Sequence, residues 1–538
     1  MKRALWVFFW SLLSLVGGYH LLSGAFPEVI TPISKFKEVF SIVTTNYVDS
    51  VDEAREVESA IYGMLEELDP HSQYIPKKEV EKAEEPLTGS FDGIGIEFNI
   101  IHDTILVVAP IAGGPSEALG IQAGDKIIKI DGKSAVGFTI DDVMKTLRGP
   151  RGTKVTVTII RPGVAEPLEF TITRDKIPIT SVDAAYMLND TIGYIKVSRF
   201  AGPTPHEFYK ALVKLRRAGM QRLILDLRDN PGGYLQASVM IADELIKADR
   251  TITYTEGRAR PRQDYVATDY GNFETRPLAV LINEGSASAS EILSGAVQDW
   301  DRGIVVGRRS FGKGLVQENF RLRDGAILRL TVARYHTPSG RVIQRPYHSG
   351  KRGLLDYEMD IVHRWERGEY FNKDSIQFPD SLKYHTHGGR VVYGGGGIMP
   401  DIFVPLDTVH VSTYLNAVIR RGLLTPFVVQ YLETRRPQLL QQYPTATDFA
   451  RHYSPPTSLL NSLLRKAQAE ELPRPSPAER KAFFQYAPER IKAVMARHLY
   501  GMKGYWEVLN LHDPVVQTAL KTLVNDTAYN HILKPQTP

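Results

Sequence analysis

No cysteine occurs in the 538 residues. Disulfides, thiolate catalysis and lipid attachment through an N-terminal cysteine are thereby excluded, and stability must come from apolar cores alone. An excess of charge of one sign is also missing: 65 basic against 61 acidic side chains leave a formal net charge of +4. Over this length that is too little to build the phosphate-neutralising surface a nucleic acid demands. Internal repeats are absent. No histidine lies between Ser288 and Lys313, and none stands in a motif suited to a Ser-His-Asp arrangement.

What is present is the composition of ordinary globular protein, 43% hydrophobic and 23% charged, in a chain long enough for several domains. At the start, Lys2 and Arg3 precede an apolar run over residues 4–16, and Ser23 and Ala25 supply small side chains before Phe26. Residues 1–25 therefore read as a cleaved signal peptide or, if the run continues through Leu21 and Leu22, as a retained membrane anchor. Either implies export to the periplasm or cell envelope.

Residues 30–87 carry apolar side chains at helical spacing, as in Phe36, Val39, Phe40 and Val43. The helix must stop at Asp69 before Pro70 in "DPHSQY", and His71 there reads as a loop or packing residue. Residues 88–178 switch to short β-rich runs with two helical stretches between them. This segment, with "GIGIEFNI", "GIQAGDKIIKIDG" and "KVTVTIIRPG", resembles a PDZ domain. The resemblance implies that Gly93, Ile94, Gly95 and Ile96 form the loop whose amides receive a peptide's terminal carboxylate while the adjoining strand edge pairs with the peptide. A tight turn between core strands is the other reading of those four residues. Residues 181–407 alternate strands and helices and read as an α/β core, and residues 408–538 are mostly helical with proline-rich breaks. The 349–390 stretch carries no readable signal. The whole is an α/β multidomain chain.

In "PLAVLINEGSASASEILSG" a buried strand runs into a small-residue turn and then an amphipathic helix, so its serines lie at a helix N-terminus. Backbone amides there can stabilise an oxyanion, yet Ser288 followed by Glu291 is equally a capping box. In "RRSFGKGLVQ", Lys313 stands before an alternating run that reads as a strand entering the core. A lysine acting as base must be neutral near pH 7, a lowering of roughly 3 units that burial without an adjacent carboxylate could provide. Gly307, Gly312 and Lys313 also satisfy the start of a phosphate-binding loop, but Gly314 replaces its Ser or Thr and a strand follows instead of a helix.

The "GSASASE" turn, the "FGKG" lysine and the preceding "LDLRDNPGG" together resemble the carboxyl-terminal processing peptidases, or tail-specific proteases, over residues 34–407. The resemblance implies a serine endopeptidase without metal or cofactor, with Ser288 as nucleophile and Lys313, 25 residues later, as base. It further implies that Gln317 orients the lysine, and that Gly232 or Gly233, with the amide of Ala289, forms the oxyanion hole. Asp299 matches a family aspartate too, though it reads equally as an ion-pair or capping group. Expected partners are protein or peptide substrates with accessible C-termini; the terminal helical regions are candidates for homodimerisation and the N-terminal segment for membrane association. A catalytically inactive PDZ adaptor and an envelope scaffold are the alternatives, and neither needs both dyad residues. The His385/His387 pair lacks further ligands at metal-binding spacing.

Overall fold

The computed structural model describes residues 27–101, 103–407 and 412–534. The signal peptide or anchor expected at 1–25 lies outside them. Among the described residues no helix is long and apolar enough to cross a membrane.

The strand Leu278–Ile282 has every residue buried, because both faces of its sheet are covered. Its side chains divide by the two-residue period of a strand. Leu278, Val280 and Ile282 enter a core with the helix Ala289–Asp299, while Ala279 and Leu281 enter another with Val515, Val516 and Leu523. Around it the six-stranded sheet runs Val182–Met187, Ile192–Val197, Arg222–Asp226, Leu278–Ile282, Ile304–Gly307 and Ile402–Phe403, parallel except for the first pair. All eleven residues of Ala289–Asp299 are buried. The turn before that helix therefore opens at the carboxyl end of the strands, where ligands bind in open parallel sheets.

The C-terminal region divides between two cores. Helices from Thr413–Arg420 to Pro477–Leu509 bury Phe427, Phe449, Leu463 and Phe483 among themselves, the last helix breaking at Gly501 with φ +73°. Helices Pro514–Val524 and Asp526–Ile532 instead cover the second face of the central sheet.

A second sheet brings the N-terminal segment to the core. Gln73–Ile75 pairs with Ile327–His336, which also pairs with Leu315–Arg321, the strand that follows Lys313. The loop 69–72 is thereby placed beside the lysine loop. A β-rich domain enters and leaves through the antiparallel pair Ser90–Gly93 and Asp175–Pro178, and its own sheet buries Ile105, Val107, Ile127 and Val157. The helix Pro27–Asn46 leaves Ile33, Phe36, Val39 and Ile42 exposed.

Candidate active site

Ser288 sits at the N-cap of Ala289–Asp299 with φ +54°, a left-handed conformation that costs a non-glycine residue of order 1–3 kcal/mol and is held only where surroundings dictate it. Those surroundings are the carboxylate of Glu291. Its Oε2 accepts from the Ser288 amide at 2.8 Å and the Lys313 amide at 2.9 Å; its Oε1 accepts from the Gly312 amide at 2.7 Å and the Ser310 hydroxyl at 2.5 Å. One buried side chain thus fastens the serine turn to the lysine loop. The hydroxyl of Tyr335 does the same from the other side, reaching the carbonyl of Ser288 at 3.2 Å and that of Lys313. Burial pushes the Glu291 carboxyl up to about 7, against the hydrogen bonds from Ser310, Lys313, Gly312 and Ser288.

Lys313 is partly buried. Burial first, and Arg329 second, lower its amine to about 8, while Asp69 and Glu291 pull the other way. Two carboxylates thus lie near the lysine, and desolvation outweighs both. No hydrogen bond joins the Ser288 hydroxyl to the Lys313 amine among the described residues; such bonds often tighten only when substrate is bound. Nor does Gln317 bond the lysine. Its side-chain amide donates to Thr331 Oγ1 at 3.3 Å, and Thr331 donates to Asp69 Oδ1 at 3.0 Å.

The strand Arg222–Asp226 ends on a buried ion cluster. Burial would raise the Asp226 carboxyl, but Arg228 and Lys196 prevail and hold it well below the usual carboxylate range. Arg228 also reaches Asp513 at 2.8 Å, just ahead of the helix Pro514–Val524. From this anchored base the 229–233 turn lies against the serine: a Cβ on Gly232 would fall 2.8 Å from both the Ala287 carbonyl oxygen and the Ser288 Cβ. The Gly232 amide donates to Asn230 Oδ1 at 2.9 Å, so as an oxyanion donor it is already engaged. The amides of Gly233 and Ala289 form no hydrogen bond among the described residues.

Gly232→Ala, at φ +101° and with that contact, is expected to displace Ser288 and lower kcat about 100-fold while KM changes little, read by steady-state cleavage kinetics. Unchanged kcat would remove the turn from the reaction.

Other expected positions lie elsewhere. Asp299 is buried in an ion pair with Arg341 at 2.7 Å and caps the Ser339 amide at 3.0 Å, a structural arrangement. His387 packs on Trp300, and no cluster able to hold a metal occurs among the described residues. After Lys313 the chain does enter a strand, Leu315–Arg321, as no phosphate loop would. In the β-rich domain the amides of Ile94 and Gly95 form no hydrogen bond among the described residues, while their carbonyls accept from Ser116 and Ile111. The loop therefore keeps donors free beside the edge strand Ile96–Ile101.

Sequence reasoning overlooked the groups around the lysine. His71 is no bystander: burial first, and then Lys313, hold its imidazole down near 3, and its Nε2 meets the Tyr357 hydroxyl at 3.0 Å. With Asp69, Arg329 and Phe311 it lines a cavity of about 980 Å³. Its only trace in the sequence was "DPHSQY", read as a helix stop.

Residues 191–349 match the family described as Peptidase family S41, residues 106–161 match the PDZ domain, and residues 23–79 match the activating protease CtpB N-terminal domain. A carboxy-terminal-processing protease of Bartonella bacilliformis is 39% identical over 383 residues, covering 70% of this chain and 85% of the relative. The chain belongs to the carboxy-terminal-processing proteases of family S41. A carboxyl-terminal-processing protease of Synechocystis is 40% identical over 351 residues, 64% of this chain and 80% of that one. A probable CtpA-like serine protease of Staphylococcus aureus is 35% identical over 313 residues, 58% of this chain and 62% of that one. This processing protease is thus a serine-type hydrolase with a PDZ domain for peptide substrates. Residues 414–501 match a family of unknown function.

Proposed function

We propose that this protein is an exported endopeptidase that cuts protein substrates recognised by their C-terminal tails, through a Ser288/Lys313 dyad and an acyl-enzyme. The observation that carries the reading is the Glu291 carboxylate holding the Ser288 and Lys313 amides together while the lysine amine is lowered to about 8. Neutral Lys313 takes the Ser288 proton as the hydroxyl oxygen attacks the scissile carbonyl, and returns it to the leaving amine. Water, activated by the same lysine, then hydrolyses the ester. The free Gly233 and Ala289 amides are the donors best suited to the oxyanion, at a helix start whose dipole favours negative charge. Gln317 acts on the lysine indirectly, through Thr331 and Asp69.

A substrate tail adds to the edge strand Ile96–Ile101 with its carboxylate on the loop of Gly93, Ile94, Gly95 and Ile96. The basic start and apolar run before Phe26 support export, and the exposed side of Pro27–Asn46 supports pairing of two copies. Cleavage of an unfolded protein by the separate Ser288→Ala and Lys313→Ala variants tests the dyad; retained cleavage in either overturns it. Amidating the substrate's terminal carboxylate is expected to raise KM about tenfold or more, the loss of charge-assisted hydrogen bonds, with kcat little changed. An unaltered KM would place recognition outside the PDZ loop.

A further inference from the structure

The 349–390 stretch lies between the strand Ile327–His336 and the glycines that precede Ile402–Phe403, and it folds into the helices Gly350–Glu358 and Asp360–Glu366 with short irregular elements after them. Its one long polar side chain buried to about 1% exposure is Arg364. That guanidinium runs inward. Its Nη1 donates to the Ser310 carbonyl at 3.1 Å and its Nη2 to the Arg309 carbonyl at 2.7 Å. Glu369, from the same stretch, receives Arg309 at 2.5 Å and lies 3.3 Å from the Arg364 Nε. Arg345, on the segment leading into the stretch, pairs with Asp360 at 2.5 Å and lies over the Phe311 ring at 4.0 Å. Residues 309–311, just before Lys313, are therefore gripped through two carbonyls, a side-chain ion pair and a ring.

We propose that the 349–390 stretch is a clamp on the lysine loop, with Arg364 as a positioning residue that holds Lys313 in its desolvated place beside Ser288. This rests on the reading of Lys313 as the base. The coupling is short and specific: Arg364 holds the Ser310 carbonyl, the Ser310 hydroxyl donates to Glu291, and Glu291 holds the Lys313 amide. Arginine suits the task because its planar fork presents two N–H donors in fixed directions, one to each carbonyl, where a lysine offers a single ammonium on a flexible stem. Without it those carbonyls lose their buried donor, and Glu369 loses one of the cations around it.

The charged and titratable groups facing Lys313 are Asp69 and His71 from the N-terminal loop, Arg329 from the strand Ile327–His336, and Glu291 from the helix Ala289–Asp299. None belongs to the clamp. A loosened loop therefore acts on the lysine through its hydration, which lets its pKa climb back toward the ordinary value.

The experiment is the pH profile of kcat/KM for the full chain and for Arg364→Gln and Arg364→Lys, with thermal melts of each. Expected for Arg364→Gln is a kcat lowered about tenfold or more, KM within about twofold, and the midpoint of the rising limb moved to higher pH by about half a unit or more. Arg364→Lys should recover part of the rate and of the shift. A fold defect alone would lower the amount of active enzyme and leave the midpoint where it was, so a folded Arg364→Gln with an unmoved midpoint overturns the clamp. Should Arg364→Gln fail to fold, Arg364→Lys decides: wild-type kcat and midpoint overturn the clamp, a partial shift supports it. Lys313→Ala, run alongside, separates the two readings, since retained cleavage there overturns the base and not merely the clamp.

Discussion

Lys313→Met should lower kcat by about 10,000-fold and abolish the rise of kcat/KM with pH that the wild-type enzyme shows through about pH 8. The size follows from the non-additivity of groups that act as a unit: once the base is gone the serine hydroxyl is an ordinary alcohol, and only binding and the oxyanion donors remain. The pH dependence follows from the lowered amine. At pH 7 a group titrating near 8 is neutral about one time in ten, so wild-type activity should climb about tenfold between pH 7 and its plateau. Glu291 adds a second limb of the same sign. Its carboxyl, pushed up to about 7, must be ionised to accept from four donors at once. Below pH 7 both groups gain protons, and the logarithmic slope of kcat/KM should steepen from one toward two. A slope that stays at one would show that Glu291 takes no part in holding the active arrangement.

Glu291→Ala is expected to be the most destabilising single change at the site. It leaves the amides of Ser288, Gly312 and Lys313 and the Ser310 hydroxyl without their acceptor in a place closed to water, at about 1–3 kcal/mol for each buried group so orphaned. A loss of roughly 4 kcal/mol or more, at the top of the range for point changes, should appear in urea melts. The effect depends on pH with a definite sign. Because burial raises this carboxyl above its unfolded value, the native state binds the proton more tightly than the unfolded chain between about pH 4.5 and 7. Ionisation in that window therefore erodes native stability as pH rises, and Glu291→Ala lacks the group. The stability difference between wild type and variant should be largest near pH 5 and shrink, by up to about 3 kcal/mol, by pH 7.5. A difference that grows with pH would mean that folding lowers the Glu291 pKa instead of raising it, and a flat one that the carboxyl is ionised throughout the window. Activity in the variant should fall with stability corrected for, since the serine turn and the lysine loop no longer share an anchor.

Local patterns carried a good deal of this. The all-apolar run of Leu278–Ile282, the small-residue turn after it and the amphipathic helix beyond announce a parallel strand feeding a helix start, because each feature follows from the period and caps of a single segment. The β-rich domain was equally legible from its alternating strands and glycine loop. Ser288 alone reads equally as a helix cap and Lys313 alone as the start of a phosphate loop, so only through the joint resemblance of their segments to the processing peptidases were they visible. Their partners were not. Glu291 showed only as the third residue of a capping box, a local role that it does fill, since its carboxylate accepts the Ser288 amide; its bonds to Ser310, Gly312 and Lys313 needed a chain reversal some twenty residues long.

Distance along the chain sets the limit in each case. Asp69 and His71 reach the lysine because Gln73–Ile75 joins a strand some 250 residues onward, Arg228 is met by Asp513 285 residues away, and Arg364 grips Ser310 across 54. By itself the sequence determined the α/β class, because helix and strand periods, caps and turns are properties of neighbours, while its resemblance to the processing peptidases supplied the family and the two residues proposed to react. Only the tertiary structure decided what lowers the Lys313 amine, what holds the 229–233 turn, and that the final helices close the central sheet. Those depend on which surfaces exclude water together, and that is a property of the assembled cores.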